Sequence, residues 1–427
     1  MTGTCRKKNS GTDFGEILIA ADWIVPVTAA PIAPGGLLLR DGVVTALGRF
    51  EELRSRHPGA PVHRLPPGAV MPGVINAHTH LELACLGPIA IDAGFGCWLS
   101  RVASGKDGLD EATILAGIRR AIEELEACGT AYVADISNYA LSPAELAASR
   151  LGGTVFHELI GANAGLVDEA FARHCPAIEG CSDDASAPLG RVRQLLACHT
   201  PFSAGPELLR RCTALARERG VPWSLHLAES AEETELLLHG RGAIFDFLRL
   251  RGIDERLIPR PGQKPVPYIE SLGCLDERLI AVHLTQASKD DLALLARRSV
   301  KPCVCPSSNR NLTGRLPPVA AMLHVGLRPA LGTDSPLSGD ALNLFGEMEI
   351  LLDAAIDPAT ILSMATLYGA EALELSADYG RIETGNQPAL IHLDISPTDR
   401  EGVLPGLIRA GARRRIRPLE RLLAGSS

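Results

Sequence analysis

Eight short apolar runs, each followed by a longer stretch with helical spacing, fill most of the sequence after residue 70. Such alternation is typical of parallel βα units, and eight of these units are the number that closes a TIM barrel. The sequence therefore predicts an α/β protein built on a (β/α)8 barrel. The predicted strands are AVMPGVINAH, GTAYVADIS, GTVFHELIG, RQLLACHTPFS, VPWSLHLAES, RLIAVHLTQ, VKPCVCPSSN and LRPALGTDS.

Three serines with the spacing of a helix cap follow predicted strands. Ser142, Ser230 and Ser288 each precede an acidic residue by three positions. In this pattern the serine and the acid satisfy the free N–H groups at the start of a helix. We therefore predict that these serines cap helices, as the βα connections of a barrel require.

Short β-type runs broken by Gly, Pro and Asp-Gly occupy both ends of the chain. EILIAADWIVPV, GGLLLRDGVVTALG and APVHRLPPGAV are typical of small antiparallel strands, and GRIETGNQPALIHLDI near the C-terminus has the same pattern. We predict that the two ends join in one small composite β-sandwich. The predicted organisation is residues 1–70 for the N-terminal part of the sandwich, 71–380 for the barrel and 381–427 for the C-terminal part.

Charge and cysteine content narrow the class of protein. A formal net charge of −8 with a pI near 5.9 lacks the excess of Lys and Arg that nucleic acid or an anionic membrane surface requires. The 11 cysteines are scattered without a CxxC, and no apolar stretch is long enough to span a bilayer, so we expect a cytoplasmic protein with reduced thiols. The arginine run at 413–417 is interpreted as a solvated rim, with an anion or partner contact as the alternative. A homodimer is left open.

Histidines mark the C-terminal ends of the predicted strands, where barrel enzymes carry their functional groups. His78 and His80 are two residues apart on one strand, so both side chains point to the same side. His226 on the fifth strand and Asp334 after the eighth would complete a ligand set suited to Zn²⁺ or Fe²⁺. Glu229 lies three residues beyond His226, close enough to carry protons to and from a water on the metal.

Two further strand ends carry histidines, His199 on the fourth and His283 on the sixth. Both are predicted to face the same cavity as the metal ligands. A single histidine in an apolar strand is usually a structural residue, but this joint pattern at successive strand ends favours a catalytic site.

The motifs PGVINAHTHLEL, CHTPFS, SLHLAES, AVHLTQ, CPSSNRNL and LGTDS, spread over essentially the whole chain, resemble those of the amidohydrolase superfamily. The resemblance implies a TIM barrel with a composite β-sandwich and a hydrolase or deaminase activity. Superfamily members with two metals bridge them through a carboxylated lysine on the fourth strand, and RQLLACHTPFS has no lysine. We therefore expect one divalent metal ion, zinc in preference to iron. By this resemblance the metal ligands are His78, His80, His226 and Asp334, and Glu229 and His283 act on the water and substrate.

Within the superfamily, HTHLEL, FGCWLSRV, QKPVPYIESLG and CPSSNRNL look most like mononuclear deaminases of purine-type rings, in particular the aminodeoxyfutalosine deaminases of menaquinone biosynthesis. Ala84 in place of a serine, Ser307 in place of an arginine and Pro336 after GTDS depart from that pattern. The expected reaction is metal-dependent hydrolytic deamination of an adenine-like nucleoside, such as 6-amino-6-deoxyfutalosine, with release of ammonia. The alternatives are a chlorohydrolase or other C–N hydrolase, and a metal-binding protein without turnover.

The expected mechanism assigns three catalytic roles. Asp334 binds the metal and also takes the proton of the attacking water, whose pKa the metal lowers. His283 orients the nucleophile, and Glu229 protonates the ring nitrogen and then the leaving amine.

Candidate substrate contacts are Glu82, Trp98, His199, Asn309 and Arg310. Trp98 would stack on a heterocycle or pack within its helix, and Glu82 would bind a ribose or ring edge or form a loop salt bridge. Arg310 would pair with a substrate carboxylate in a two-pronged geometry, or with a surface acid.

Overall fold

The structure, a computed structural model, describes residues 15–92, 94–161, 167–169, 171–172, 192–396 and 399–424. Its largest sheet has eight parallel strands in the order β14-β13-β12-β11-β10-β9-β8-β7, and helices connect them. This arrangement confirms the predicted TIM barrel, and each of the eight predicted runs contains one barrel strand. The strands in chain order are β1 Glu16–Ala21, β2 Trp23–Ile24, β3 Gly35–Arg40, β4 Val43–Arg49, β5 Val62–Arg64, β6 Ala69–Pro72, β7 Val74–Thr79, β8 Thr130–Ser137, β9 Gly152–Leu159, β10 Val192–Cys198, β11 Trp223–Leu227, β12 Leu279–His283, β13 Lys301–Val304, β14 Ala330–Leu331, β15 Leu390–Leu393 and β16 Ile416–Pro418.

The seam between the first and last barrel strands is closed by hydrogen bonds beyond the two residues of β14. The N–H groups of Thr333 and Asp334 both donate to the carbonyl oxygen of His78, at 3.1 Å each. Asn76 adds a side-chain bridge, because its Nδ2 donates to Thr333 Oγ1 at 2.7 Å and its Oδ1 accepts from Thr333 N at 3.1 Å. Gly332 allows this approach, since a Cβ there would lie 2.8 Å from the carbonyl oxygen of His78.

Helices cover the barrel and follow its strands. Ser230 and Ser288 cap helices as predicted, and Ser288 forms a full capping box with Asp291. Ser142 corrects the third prediction, because its helix already includes it and Leu141 is the cap residue, without a side-chain bond. The α-helices are Phe50–Arg56, Phe95–Lys106, Glu111–Ala127, Ser142–Ala148, Pro206–Arg219, Ala231–His239, Ala243–Leu250, Pro265–Ser271, Lys289–Arg297, Pro306–Thr313, Val319–His324, Leu344–Asp353, Pro358–Met364, Leu367–Ala372, Arg400–Ala412 and Leu419–Ala424, with 3₁₀ turns at Leu81–Leu86 and Glu255–Leu257.

Two four-stranded sheets lie outside the barrel. One has the order β4-β3-β1-β5 and comes from the N-terminal segment alone. The other has the order β16-β15-β6-β2 and therefore combines strands from both ends of the chain, which confirms the predicted composite module. The predicted domain boundary at residue 70 falls inside β6, which pairs with β2 and β15.

Apolar packing covers both faces of the barrel sheet. On β12, Leu279 and Ala281 belong to one apolar cluster, and the alternating residues Ile280 and Val282 belong to another. Because successive strand residues point to opposite faces, both faces are shielded, as a parallel sheet requires. None of the helices in the described part of the chain combines the length and the apolar character needed to cross a membrane.

Candidate active site

The strand ends bring a compact group of imidazoles and carboxylates to one end of the barrel. His78 is the penultimate residue of β7 with His80 just beyond the strand, His226 lies on β11, His283 ends β12 and Asp334 follows β14. All five side chains are at least nine-tenths buried. Asp334 and two of the histidines thus come from the two strands that meet at the seam.

The spacing of the four predicted ligands suits a divalent cation. His78 Nε2 lies 3.3 Å from His226 Nε2, and Asp334 Oδ1 lies 3.4 Å from His80 Nε2 and 3.8 Å from His78 Nε2. Two zinc–nitrogen bonds of about 2.1 Å at a tetrahedral angle would hold their nitrogens about 3.4 Å apart. The donor atoms are therefore close enough to share one ion, and their chemistry of imidazoles and one carboxylate fits zinc or iron.

The ring of His226 is oriented by the backbone. Its Nδ1 donates to the carbonyl oxygen of His199 at 2.7 Å, so the lone pair of the neutral ring lies on Nε2, which faces His78. This bond also bears on a second cluster, formed by Glu158, His199 and His226. Because His226 Nδ1 carries a proton, the ring has no second lone pair with which to hold another ion there.

Asp334 is held in place by hydroxyl and amide donors. Its Oδ2 accepts from Ser308 Oγ at 2.6 Å and Ser338 Oγ at 3.1 Å, and its Oδ1 accepts from Ser335 N at 2.8 Å. Burial alone would raise the pKa of Asp334, but His80, His283 and the Ser308 hydroxyl keep it below its ordinary value. The side chain is thus held as a carboxylate.

Glu229 and His283 face each other beside the ligand cluster, with Glu229 Oε1 lying 3.6 Å from His283 Nε2. Burial, together with the charge of Asp334, raises the pKa of Glu229 well above its ordinary value. Burial lowers the pKa of His283 to about 3. A carboxyl whose pKa is raised and an imidazole whose pKa is lowered form, at this distance, a pair suited to exchanging protons with a substrate.

Asn309 fixes the tautomer of His283. Its Oδ1 accepts from the N–H of Cys305 at 3.4 Å, which turns its Nδ2 toward His283 Nδ1 at 3.0 Å. Since an amide NH₂ only donates, His283 Nδ1 must accept, and the ring proton of neutral His283 lies on Nε2, facing Glu229. Asn309 is wholly buried, so it acts through His283 instead of serving as the predicted substrate contact.

The backbone is strained where it presents these groups. His283 has φ +77°, Asp334 +57° and Ala228, just before Glu229, +52°. Non-glycine residues in this region cost on the order of 1–3 kcal/mol each, and they persist only where surrounding contacts hold them. Glu233 supplies such contacts, accepting from Ala228 N at 3.2 Å and Glu229 N at 2.8 Å.

Two of the predicted substrate contacts already have partners within the protein. Glu82 accepts four hydrogen bonds, from Ser137 Oγ and the N–H groups of residues 138, 139 and 141, so both of its oxygens are occupied. Arg310 is exposed and pairs with Asp340 at 2.8 Å, the surface alternative considered for it. A loop anchor in one case and a solvent-facing ion pair in the other account for these residues.

The remaining predicted contacts lie nearer the site. His199 follows β10, and its ring centroid lies 5.4 Å from that of His226, with its Nδ1 2.7 Å from Ser203 Oγ. Burial lowers the pKa of His199 to about 4. Trp98 is half-buried and packs in an apolar cluster with Leu83 and Leu337, as its packing alternative predicts.

Three polar residues near the site were missed by the sequence analysis. Glu158 on β9 is 6% exposed, and its Oε2 accepts from Asn138 Nδ2 at 2.6 Å. Lys106 Nζ donates to Asn138 Oδ1 at 2.6 Å. Burial would raise the pKa of Glu158, but His199, His226, His80 and Lys106 hold it at about 2. A charged residue near the end of a largely apolar strand run was the available signal for Glu158.

Comparisons with known proteins define the class to which this site belongs. The profile of the Amidohydrolase family matches residues 69–413, and that of the bacterial Imidazolonepropionase-like composite domain matches residues 35–60. The chain therefore belongs to the amidohydrolase family, as its motifs predicted, and it is a hydrolase that acts on carbon–nitrogen bonds.

Particular relatives are deaminases. A 5-methylthioadenosine/S-adenosylhomocysteine deaminase from Nitratidesulfovibrio vulgaris is 30% identical over 383 residues, covering 85% of this chain and 80% of that protein. An aminodeoxyfutalosine deaminase from Deinococcus radiodurans is 30% identical over 372 residues, covering 82% and 84%. The crystal structure of an adenosine deaminase from Xanthomonas campestris with bound zinc matches with a TM-score of 0.79 at 27% identity, covering 94% of this chain and 90% of that one.

Proposed function

We propose that the protein is a metal-dependent deaminase that hydrolyses the amino group of an adenine-like nucleoside and releases ammonia. Its relatives act on methylthioadenosine, S-adenosylhomocysteine and aminodeoxyfutalosine, which share an adenine ring bearing an exocyclic amine. One observation carries the proposal: the buried pair of Glu229 and His283 lies beside Asp334, whose carboxylate in turn lies within 4 Å of the clustered imidazoles of His78 and His80. Holding a metal requires neither residue, whereas removing an amine requires proton transfer.

The proposed cofactor is one divalent ion at His78, His80, His226 and Asp334. Zinc is favoured over iron, because the ligand set suits it and the related adenosine deaminase binds zinc. When bound, the ion lowers the pKa of water toward about 7 and supplies hydroxide at neutral pH. Single occupancy is supported by the bond from His226 Nδ1 to the backbone, which leaves the Glu158 cluster without a third ligand.

The side chains of the site divide the proton transfers between them. The Asp334 carboxylate takes the proton of the attacking water, and the serine hydroxyls that bind its Oδ2 keep the carboxylate oriented. The N–H at His283 Nε2 donates to the nucleophile and orients it toward the amino-bearing carbon. Glu229, whose pKa burial raises well above its ordinary value, gives a proton to the adjacent ring nitrogen. It then collects the proton that Asp334 took from the water and passes it to the departing amine, and the hydroxyl proton released as the carbonyl forms restores Glu229.

An ammonia-release assay tests the proposal directly. Zinc-loaded protein would be offered adenine, adenosine, S-adenosylhomocysteine, 5-methylthioadenosine and 6-amino-6-deoxyfutalosine, with a chlorotriazine as the comparison substrate. We expect ammonia from at least one nucleoside, and 6-amino-6-deoxyfutalosine is the specific candidate. If no adenine compound gave ammonia and the chlorotriazine rapidly released chloride, the protein would be a chlorohydrolase and not a deaminase. Zinc binding without any turnover would favour the non-catalytic alternative.

A further inference from the structure

Glu158, near the proposed active site, has a buried carboxylate oxygen without a hydrogen-bond partner among the described residues. Glu158 Oε1 is buried and accepts no hydrogen bond from any described residue, although Glu158 Oε2 is bound by Asn138. His226 Nδ1 lies 3.7 Å from Glu158 Oε1, but that nitrogen already donates to the backbone of His199. A buried carboxylate oxygen facing this cavity is therefore available to a ligand that donates a hydrogen bond.

A cation stands beside this acceptor. Lys106, the last residue of its helix, donates from Nζ to Asn138 Oδ1, while Asn138 Nδ2 donates to Glu158. The ammonium and the carboxylate therefore flank a single side-chain amide. An ammonium has three donors, and Asn138 takes one of them. This cluster thus presents an acceptor on Glu158 and a donor on Lys106, and the carboxamide of Asn138 lies between them.

The position of this cluster relates it to the reacting groups. Lys106, Asn138 and Glu158 come from the first three βα units, whereas Glu229, His283 and Asp334 come from the fifth, sixth and eighth. The ligand His226 lies between the two groups. A ring whose amino carbon lies at Glu229 and His283 therefore has its remaining substituents near strands β8 and β9.

We propose, on the basis of the deaminase function proposed above, that Glu158 and Lys106 bind the two neighbouring hydroxyls of a ribose. A hydroxyl both donates and accepts, so one can donate to Glu158 Oε1 while the other accepts from Lys106 Nζ. A ligand carboxylate at this place would be repelled by the negative charge of Glu158. An apolar ligand group would leave that buried charge without a hydrogen-bond donor. The cluster therefore selects nucleosides over free bases and over ribose-free rings.

Adenosine and 2′,3′-dideoxyadenosine provide the test, because they differ only in the two hydroxyls. We expect zinc-loaded protein to have a kcat/KM at least about 10²-fold higher for adenosine, since a site built to bind hydroxyls discriminates strongly against their loss. In Glu158→Gln and in Lys106→Met, the ratio of kcat/KM for adenosine to that for 2′,3′-dideoxyadenosine should fall to about tenfold or less. The main cause should be a higher KM for adenosine. The loss of kcat/KM should be much larger for adenosine than for 2′,3′-dideoxyadenosine, and zinc content should be retained. Glu235→Gln serves as the matched control, because the half-exposed Glu235 forms a surface ion pair with Arg241.

Equal turnover of the two compounds by the unmodified protein would overturn the inference. So would a Glu158→Gln variant that lowers both activities equally, because that result would assign Glu158 to tuning the metal. A binding measurement separates this inference from the proposed function. Calorimetry on zinc-loaded protein compares the affinities for adenosine and 2′,3′-dideoxyadenosine without requiring turnover. Hydroxyl-dependent binding without ammonia release would reject only the deaminase proposal, and binding that ignores the hydroxyls would reject the inference.

Discussion

Replacing Glu82 by glutamine tests whether this residue anchors a loop or binds substrate. Glu82 is 1% exposed and accepts four hydrogen bonds of 2.6–2.8 Å from the segment that follows β8. Glutamine has the same shape but replaces one acceptor oxygen by a donating NH₂. Its best orientation places that NH₂ against Ser137 Oγ, which can reverse its role and accept. The N–H of Leu141 then faces another donor and loses its partner.

The expected loss of stability follows from these bonds. An orphaned buried N–H costs about 1–3 kcal/mol, and the remaining bonds weaken because a neutral oxygen accepts less strongly than a carboxylate. We expect a total loss of about 2–4 kcal/mol in the free energy of unfolding. With an unfolding entropy of about 2.1 cal/mol/K per residue over 427 residues, this corresponds to a fall in Tm of about 2–4 °C.

Two measurements follow the change, with Glu235→Gln as the surface control. Thermal unfolding reports the global loss, and hydrogen exchange reports the local one at the amides of residues 138, 139 and 141. Faster exchange confined to these amides is expected in Glu82→Gln and absent from the control. KM of the folded variant should change by less than about threefold. An unchanged Tm and exchange pattern, combined with a large rise in KM, would refute the anchoring role and restore Glu82 as a substrate contact.

Four further predictions concern the site and its support. Glu229→Gln should keep the metal but lose about 10²–10⁴ in kcat, because the proton shuttle is removed, as measured by metal analysis and ammonia release; full activity would exclude that role. Asn309→Asp should lower kcat on the order of 10²-fold at unchanged KM and metal content, since a carboxylate draws the His283 proton to Nδ1; steady-state kinetics with imidazole NMR checks the tautomer. Burial raises the pKa of Glu347 from 4.5 to about 8, so its proton stabilises the fold below pH 4.5 and this contribution is lost as pH rises through 8. The Tm of the unmodified protein should therefore fall more between pH 6 and 9 than that of Glu347→Gln, and parallel curves would contradict this. Chelation should abolish turnover and lower Tm, and added zinc should restore both; activity that survives complete metal removal would count against the proposed mechanism.

The sequence predicted the barrel because each strand combined an apolar run with a polar residue at its C-terminal end. The spacing of His78 and His80 places both on one face of a strand, and the histidines and acids at the other strand ends made a shared site the better interpretation. Glu229 was identifiable because it lies three residues after His226 on a predicted strand, and Asp334 because it lies at the end of the apolar run LRPALGTDS. What made these residues predictable was local geometry within a single strand or its first following turn.

Contacts between distant segments could not be predicted in this way. The role of Glu82 depends on how the loop after β8 folds back over it, and Lys106 meets Asn138 across 32 residues of sequence. Glu158 was missed because all eight residues of β9 are buried, so hydrophobic alternation cannot tell which of its side chains face the cavity. Ser142 failed as a cap because its helix begins one residue earlier than the serine pattern indicates.

The seam between β7 and β14 has a consequence for the synthesis of the protein. Thr79 Oγ1 donates to the carbonyl oxygen of Asp334 across 255 residues of sequence, and the proposed ligands sit on both sides of this junction. The ribosome makes His78 and His80 long before His226 and Asp334, so a nascent chain carries an incomplete set of the proposed ligands until its last barrel strand has been made. We therefore expect tight binding of the proposed ion only after that strand has docked, and weak binding by a product truncated before Asp334.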